Sequence, residues 1–193
     1  MRRPLAAALA ALALLHPSHA TAPAAPLRVT VALPRLTQPA PAAMQRPMPA
    51  ALRPLASYLP LFRRYPRRAG IPASLAEAVA LVESDGHPWA VSAEGAVGLL
   101  QVLPRTAHSL GVWGLRSPVA SIVAGTRYLR WLGHLYGVRP SCWRVSPGGD
   151  AACAWRVDRV LSAYNSGPRG AYQARYVADV RARWVAVRGG AAA

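Results

Sequence analysis

Carboxylates are the side chains of this sequence that could carry out acid–base chemistry, and there are only seven of them. Glu83 stands out because it follows apolar residues directly, in the run ALVESDGHPW. A carboxyl group among apolar side chains keeps its proton to a higher pH and can then act as a proton donor. Taken alone, Glu83 could as well be a solvated charge on the surface, so the other acids have to be considered with it.

The remaining carboxylates are weaker candidates than Glu83 for a proton donor. Glu77 lies three residues after Ser74, which is the spacing of a capping box and assigns Glu77 to the start of a helix. Asp85 is two residues beyond Glu83, and on a helix this spacing turns the side chains to nearly opposite faces. Glu94 either reaches a cleft from a loop or is simply exposed. The other three are Asp150 in an expected loop, Asp158 as an exposed helix charge, and Asp179 on the last helix.

One good acid and one doubtful second acid limit the reactions that the chain could perform. Glycoside hydrolysis usually needs two carboxylates, one on each side of the bond. A single glutamate is enough only if the substrate supplies its own nucleophile. The sequence contains no GxSxG, phosphate-loop or HExxH motif, and no cluster of histidine and cysteine that would bind a metal. We therefore expect neither a metal nor a cofactor.

The elements that must position Glu83 are predicted to be helices, and the predicted fold class is all-α. Helical patterns cover LAEAVALVES, GAVGLLQVL, PRTAHSL, SPVASIVAGTRYLRWLGHLYG, WRVDRVLSAYN and RYVADVRARWVAV. Ser117 and Pro118 are predicted to start the longest helix, with Gly137 just past its end. The run CWRVSPGGDAAC is predicted to be a loop. Glu83 falls at the C-terminal end of its helix, where the dipole does not favour a carboxylate.

The N-terminal part of the sequence resembles a targeting segment and a linker. Residues 1–20 have a basic start, a short apolar stretch and small residues at the end, which is the layout of a secretory signal peptide. Residues 21–54 are rich in Ala and Pro, which predicts a disordered, semi-extended linker. Residues 55–187 would form the folded domain and 188–193 a tail. We expect an exported, periplasmic protein with no transmembrane segment in the mature chain.

Two cysteines, Cys142 and Cys153, form an even pair. In a reducing compartment they would be free or metal-bound, whereas in an exported protein they favour a disulfide. Their spacing fits no common zinc pattern, and the nearest histidine, His134, stands alone. We therefore expect a disulfide that closes a short loop.

The net charge is strongly positive, and all 23 basic residues are arginine. Loss of residues 1–20 would remove two arginines and no acid, which lowers the formal net charge from +16 to +14. Such a surface favours polyanions. Export argues against nucleic acid, so anionic envelope polymers or phospholipid headgroups are the expected neighbours. A coding bias toward arginine and alanine is an equal alternative.

Several short motifs together resemble one known family. In order along the chain they are Glu83-Ser84, Ser92, Gly95-Ala96, Gly98-Leu99-Leu100-Gln101, Pro104 with Thr106-Ala107, and Ala163-Tyr164-Asn165-Ser166-Gly167-Pro168. Each motif alone is weak, but their order and intervals are similar to the soluble lytic transglycosylase (SLT) domain family, whose fold is lysozyme-like. The resemblance covers roughly residues 58–187.

The resemblance implies a reaction as well as a fold. The family cleaves the β-1,4 bond between N-acetylmuramic acid and N-acetylglucosamine in peptidoglycan, and leaves a 1,6-anhydro end. The resemblance further implies that Glu83 acts first as the general acid and then as the general base. Substrate-binding positions would be Ser84, Gln101, Tyr164, Asn165 and Tyr176, with Gly95 and Gly98 allowing the backbone to approach the glycan.

Other functions remain open at the level of the sequence. One is a water-using, lysozyme-like muramidase, and another is a non-catalytic peptidoglycan-binding module of an envelope-spanning assembly. The expected partner is the glycan strand of peptidoglycan, and a secretion, conjugation or pilus machine is a further candidate. We expect a monomer that does not bind nucleic acid.

Overall fold

The computed structural model describes Met48, residues 50–144 and residues 150–192. Within these ranges the chain is helical without a β-strand, so the all-α prediction is confirmed. The α-helices are α1 (Leu59–Arg68), α2 (Ala73–Ser84), α3 (Pro104–Ser109), α4 (Pro118–Leu135), α5 (Ala151–Ser166) and α6 (Ala174–Ala192). Two 3-10 helices, Ala50–Tyr58 and Cys142–Arg144, precede α1 and α5.

Helix α2 runs through the core, and most of its side chains are buried. It packs against α1, α4 and α6. Alanines at 76, 78 and 80 are fully buried and let the neighbouring helices approach closely. Glu83 lies in the last turn of α2, as the sequence predicts. Its carboxylate is therefore carried on an element that is fixed by packing on several sides.

The start of α2 differs from the predicted capping box, and that prediction is wrong. Pro72 occupies the N-cap position, so Ser74 already lies inside the helix and cannot cap it. The Ser74 hydroxyl instead accepts a hydrogen bond from Trp184 Nε1 at 3.0 Å. Glu77 is only 6% exposed, which places a carboxyl group in the core.

Residues 85–103 connect α2 to α3 through turns, so the predicted short helix over GAVGLLQVL is wrong. Two isolated antiparallel bridges occur within this connecting segment. Gly95, Gly98 and Gln101 have φ of +81°, +83° and +43°, values that a right-handed helix does not allow. The segment is therefore a compact series of turns whose apolar side chains, such as Leu99, point into the core.

The second half of the domain is built on α4, α5 and α6. Helix α4 starts after Ser117 with Pro118 in its first turn, as predicted, although the Ser117 side chain forms no capping bond. Helix α5 starts at Ala151, so Cys153 lies in a helix instead of the predicted loop. The expected disulfide joins it to Cys142. Residues 145–149 of the predicted loop lie outside the described residues.

Asp158 was expected to be an exposed charge, and the structure corrects this. Its Oδ1 accepts a hydrogen bond from Arg181 Nε at 2.5 Å, and the two side chains are only 22% and 26% exposed. The ion pair connects α5 to α6.

The predicted boundaries compare with the helices as follows. The predicted signal peptide and nearly all of the linker lie outside the described residues. Linker residues 50–54 belong to the first 3-10 helix, with Leu52 buried. At the other end, α6 continues beyond residue 187 to Ala192. Of the helices that the structure describes, none has the length and apolar character needed to cross a bilayer.

Candidate active site

A cleft of about 590 Å³ lies beside the C-terminal end of α2. Four of the residues predicted for the site line it: Glu83, Gln101, Tyr164 and Asn165. They come from α2, from the connecting segment and from the end of α5. Elements far apart in sequence thus bring the predicted residues to one cavity.

Glu83 is partly buried in this cleft, and Tyr176 lies next to it. The Tyr176 hydroxyl donates a hydrogen bond to Glu83 Oε1 at 2.5 Å. Burial raises the pKa of Glu83 from 4.5 to about 7, and the bond from Tyr176 opposes that rise. The pKa of Tyr176 is well above its usual value because of burial and the negative charge of Glu83, so it stays a donor. Near neutral pH, Glu83 can thus both give and accept a proton.

Tyr164 connects α5 to the connecting segment from inside the fold. Its hydroxyl donates a hydrogen bond to Leu100 O at 2.8 Å. Helix α4 approaches this contact closely at Gly125, where a Cβ would lie 2.5 Å from Leu100 Cβ and 2.8 Å from Tyr164 Oη. Glycine at position 125 is therefore required for this packing. Burial, and then the charge of Glu83, raise the pKa of Tyr164.

Gln101 is held at the cleft by the backbone of its own segment. Its Nε2 donates hydrogen bonds to Ala90 O at 2.9 Å and to Gly98 O at 2.8 Å. These two bonds explain why a non-glycine residue is kept at a φ of +43°. The side chain is preorganised before any ligand binds.

Three other predicted residues do not line the cleft: Ser84, Gly95 and Gly98. Ser84 is buried, and its hydroxyl donates to Leu99 O at 2.9 Å. A Cβ at Gly98 would lie 2.7 Å from both Leu115 O and Ser121 Oγ, so this glycine allows close packing within the protein. At Gly95 a Cβ would meet nothing within 4 Å. The contacts of Ser84 and Gly98 are thus with the protein itself.

A second carboxylate, Glu94, also lines the cleft, but its environment is opposite to that of Glu83. It is fully exposed. Hydrogen bonds from its own backbone N–H and from Ser92 lower its pKa. The two carboxyl groups therefore differ in protonation near neutral pH, Glu83 being partly protonated and Glu94 ionised.

Tyr128 is a cleft residue that the sequence reasoning missed. It lies on α4, lines the cleft and packs against Tyr164 with ring centroids 5.1 Å apart. The signal in the sequence is that Tyr128 is an aromatic residue just outside the apolar stripe of α4, where a side chain can border a cavity. In the described parts of the chain, no three His, Cys, Asp or Glu side chains are grouped to hold a metal ion.

Comparison with known proteins gives consistent matches. The family model described as "Transglycosylase SLT domain" matches residues 60–183. The membrane-bound lytic murein transglycosylase C of Haemophilus ducreyi is 38% identical over 124 residues, which are 57% of this chain and 30% of that protein. The protein of the same name from Edwardsiella ictaluri is 36% identical over 121 residues, covering 57% of this chain and 31% of its own length.

One solved structure is also similar to part of this chain. The 70-kDa soluble lytic transglycosylase of Escherichia coli has a TM-score of 0.44 and 28% identity, covering 69% of this chain and 19% of that one. The chain thus spans less than a third of the curated relatives described above.

Proposed function

The chain belongs to the transglycosylase SLT domain family, and on that premise we propose that it is a lytic transglycosylase. Its substrate would be the glycan strand of peptidoglycan, and it would cleave the β-1,4 bond between N-acetylmuramic acid and N-acetylglucosamine. The relatives named as murein transglycosylases support this substrate class.

In the proposed reaction one carboxyl group acts twice. Protonated Glu83 donates its proton to the glycosidic oxygen as the bond from that oxygen to C1 of N-acetylmuramic acid breaks. The resulting carboxylate then takes the proton of the C6 hydroxyl as O6 bonds to C1. The products are a 1,6-anhydro end and a free 4-hydroxyl, and no water is consumed. Glu83 returns to its protonated form.

The observation that carries this proposal is the environment of Glu83. A carboxyl group with a pKa of about 7 is half protonated near neutral pH, so donor and acceptor forms are both available. The hydrogen bond from Tyr176 stabilises the carboxylate that forms after the first step. Asn165 and Gln101 provide polar groups at the cleft to orient the sugars.

Glu94 is the reason to keep a second candidate function. Because this ionised carboxylate also lines the cleft, a water-using muramidase could employ it as the base or nucleophile. The exposed position of Glu94 favours the transglycosylase, since a carboxylate that activates water or attacks the sugar is normally held close to the scissile bond.

The test is digestion of purified sacculi followed by mass spectrometry of the released muropeptides. We expect anhydro ends from the wild type, no release by Glu83→Gln, and release by the matched variant Glu94→Gln. Reducing ends, with loss of activity in Glu94→Gln, would replace the proposal by the muramidase. Binding of sacculi without any product would instead indicate a non-catalytic module.

We also propose that the protein acts in the periplasm. The support is the predicted signal peptide in residues 1–20 together with the envelope substrate of the family. A role in local opening of the wall for a secretion, conjugation or pilus machine is part of this proposal. Fractionation of the producing cells, with determination of the mature N-terminus, tests it. A full-length chain retained in the cytoplasm would contradict it.

A further inference from the structure

Trp131 on α4 is a large aromatic side chain that the proposed reaction does not use. It is 44% exposed. Its ring is nearly parallel to that of Tyr128, with an interplanar angle of 14° and centroids 6.0 Å apart. Tyr128 in turn packs on Tyr164 at 5.1 Å. Three aromatic rings therefore lead from the buried end of the site to solvent.

Helix α4 meets the cleft at two positions, one before and one after Trp131 in the sequence. Tyr128, one turn before it, lines the cleft directly. Tyr136, five residues after it, donates a hydrogen bond from its hydroxyl to Pro168 O at 3.0 Å, and Pro168 is also a cleft residue. Helical side chains lean toward the N-terminus of their helix, which brings the Trp131 indole back over Tyr128. Trp131 does not itself line the cleft, and its connection to the cleft is the ring of Tyr128, on which it stacks.

We infer that Trp131 is a sugar-stacking platform that extends the substrate-binding cleft by one outer subsite along the glycan strand. The inference rests on the substrate class of the proposed function. One face of a pyranose ring carries C–H groups, and an exposed indole offers a flat apolar surface of matching size. Because the indole is already supported by Tyr128, little side-chain freedom is lost when a sugar binds.

The other exposed tryptophans of the described chain do not stack on a residue that lines the cleft; they are Trp89, Trp113 and Trp155. Trp113 stacks on His108 at 6.0 Å, and neither residue lines the cleft. Trp155 is 61% exposed on α5 and is not a cleft residue. Trp155 therefore provides a matched control, since its replacement removes the same side chain from another helix surface.

The experiment measures binding separately from turnover. Peptide-free oligomers of alternating N-acetylglucosamine and N-acetylmuramic acid, four and eight sugars long, are titrated into full-length Glu83→Gln protein by calorimetry. When Trp131→Ala is added to this protein, we expect its affinity for the eight-sugar oligomer to fall roughly five- to tenfold. Its affinity for the four-sugar oligomer should not change. Trp131→Phe, which keeps an aromatic ring, should retain most of the affinity, whereas Trp131→Leu should not. Trp155→Ala should bind both oligomers as tightly as the Glu83→Gln protein without a second change.

Two results would overturn the inference. Unchanged affinity for the long oligomer in Trp131→Ala would mean that no sugar contacts the indole. Equal weakening for both lengths would mean that Trp131 acts only by positioning Tyr128. Sacculus digestion by the wild type tests the proposed reaction separately from the proposed subsite. If no anhydro products form but Trp131→Ala still weakens binding of the long oligomer only, the proposed reaction is wrong and the subsite is supported. If anhydro products form but Trp131→Ala binds the long oligomer as tightly as before, only the subsite is wrong.

Discussion

The hydroxyl of Tyr176 on α6 donates a hydrogen bond to the carboxylate of Glu83 on α2, over 2.5 Å and across 93 residues of sequence. Two opposing effects act on the same carboxyl group. Burial raises its pKa and favours the acid, whereas the tyrosine stabilises the carboxylate. Together they give Glu83 a pKa of about 7, so both protonation states are populated near neutral pH.

Tyr176→Phe removes only the hydroxyl and should shift this balance toward the acid. Because the hydrogen bond lowers the pKa of Glu83, its loss raises that pKa further. The wild-type rate should fall as pH rises through about 7, where the donor is lost, and this fall should move to higher pH in the variant. The maximal rate should drop roughly tenfold, because the carboxylate formed in the first step loses a donor. Profiles of kcat/KM against pH measure both effects.

The control for that experiment is Tyr172→Phe, which removes the same atom from an exposed tyrosine before α6. It should keep the wild-type profile. A Tyr176→Phe profile that moved to lower pH, or did not move, would contradict the opposing roles of burial and hydrogen bonding at Glu83.

Local pattern was enough to predict that Glu83, Tyr164 and Asn165 lie at the ends of helices, whereas the binding roles of the last two came only from the family resemblance. The position of Glu83 at the end of α2 followed from helix-forming residues before it and DGHP after it. Tyr164 and Asn165 followed likewise from the end of α5. In these places propensity, turn residues and tertiary packing all favour the same structure.

The errors occurred where distant residues decide the local structure. The run GAVGLLQVL has helical composition, but its turns are held by Ser84 and Ser121, whose hydroxyls bond to Leu99 O and Leu100 N. The capping-box spacing of Ser74 was likewise overridden, since its hydroxyl partner is Trp184, 110 residues away. Such partners cannot be identified from a single sequence without the fold.

Glu77 should make the stability of the protein depend on pH. Burial raises its pKa from 4.5 to about 7 in the folded state, against a smaller opposing effect of Arg63. The folded state therefore binds the proton more tightly than the unfolded state. Stability is highest below about 4.5 and declines as pH rises toward about 7. Glu77→Gln should remove about 3 kcal/mol of this decline.

Urea unfolding at pH 4.5 and pH 8 measures this difference. The variant should match the wild type at the lower pH and exceed it at the higher one. Asp179→Asn, a change at an exposed carboxylate on α6, is the control and should alter neither value. Equal effects of Glu77→Gln at both pH values would show that the carboxyl group is not titrating in the core.

The disulfide between Cys142 and Cys153 should stabilise the fold without taking part in the reaction. It closes a loop with a sequence separation of 11 residues, for which chain entropy predicts about 3 kcal/mol. Replacement of both cysteines by serine should lower the midpoint of thermal unfolding. Cys153 lies at the start of α5 and Tyr164 near its end, so activity at 25 °C should be retained. A reducing agent should destabilise only the wild type.

Alanine substitutions at Gly95 and Gly98 allow the cost of backbone strain to be measured separately from the cost of poor packing. Both have nearly the same positive φ, +81° and +83°, within one segment. Alanine at either position should cost about 1–2 kcal/mol for the left-handed conformation. At Gly98 the added Cβ would also lie 2.7 Å from Leu115 O and Ser121 Oγ, whereas at Gly95 it would meet nothing within 4 Å. Gly98→Ala should therefore be the more destabilising change in urea unfolding. It should also lower activity, because Gly98 O accepts the hydrogen bond that fixes Gln101. Equal losses of stability in the two variants would mean that the segment relaxes around the new methyl group.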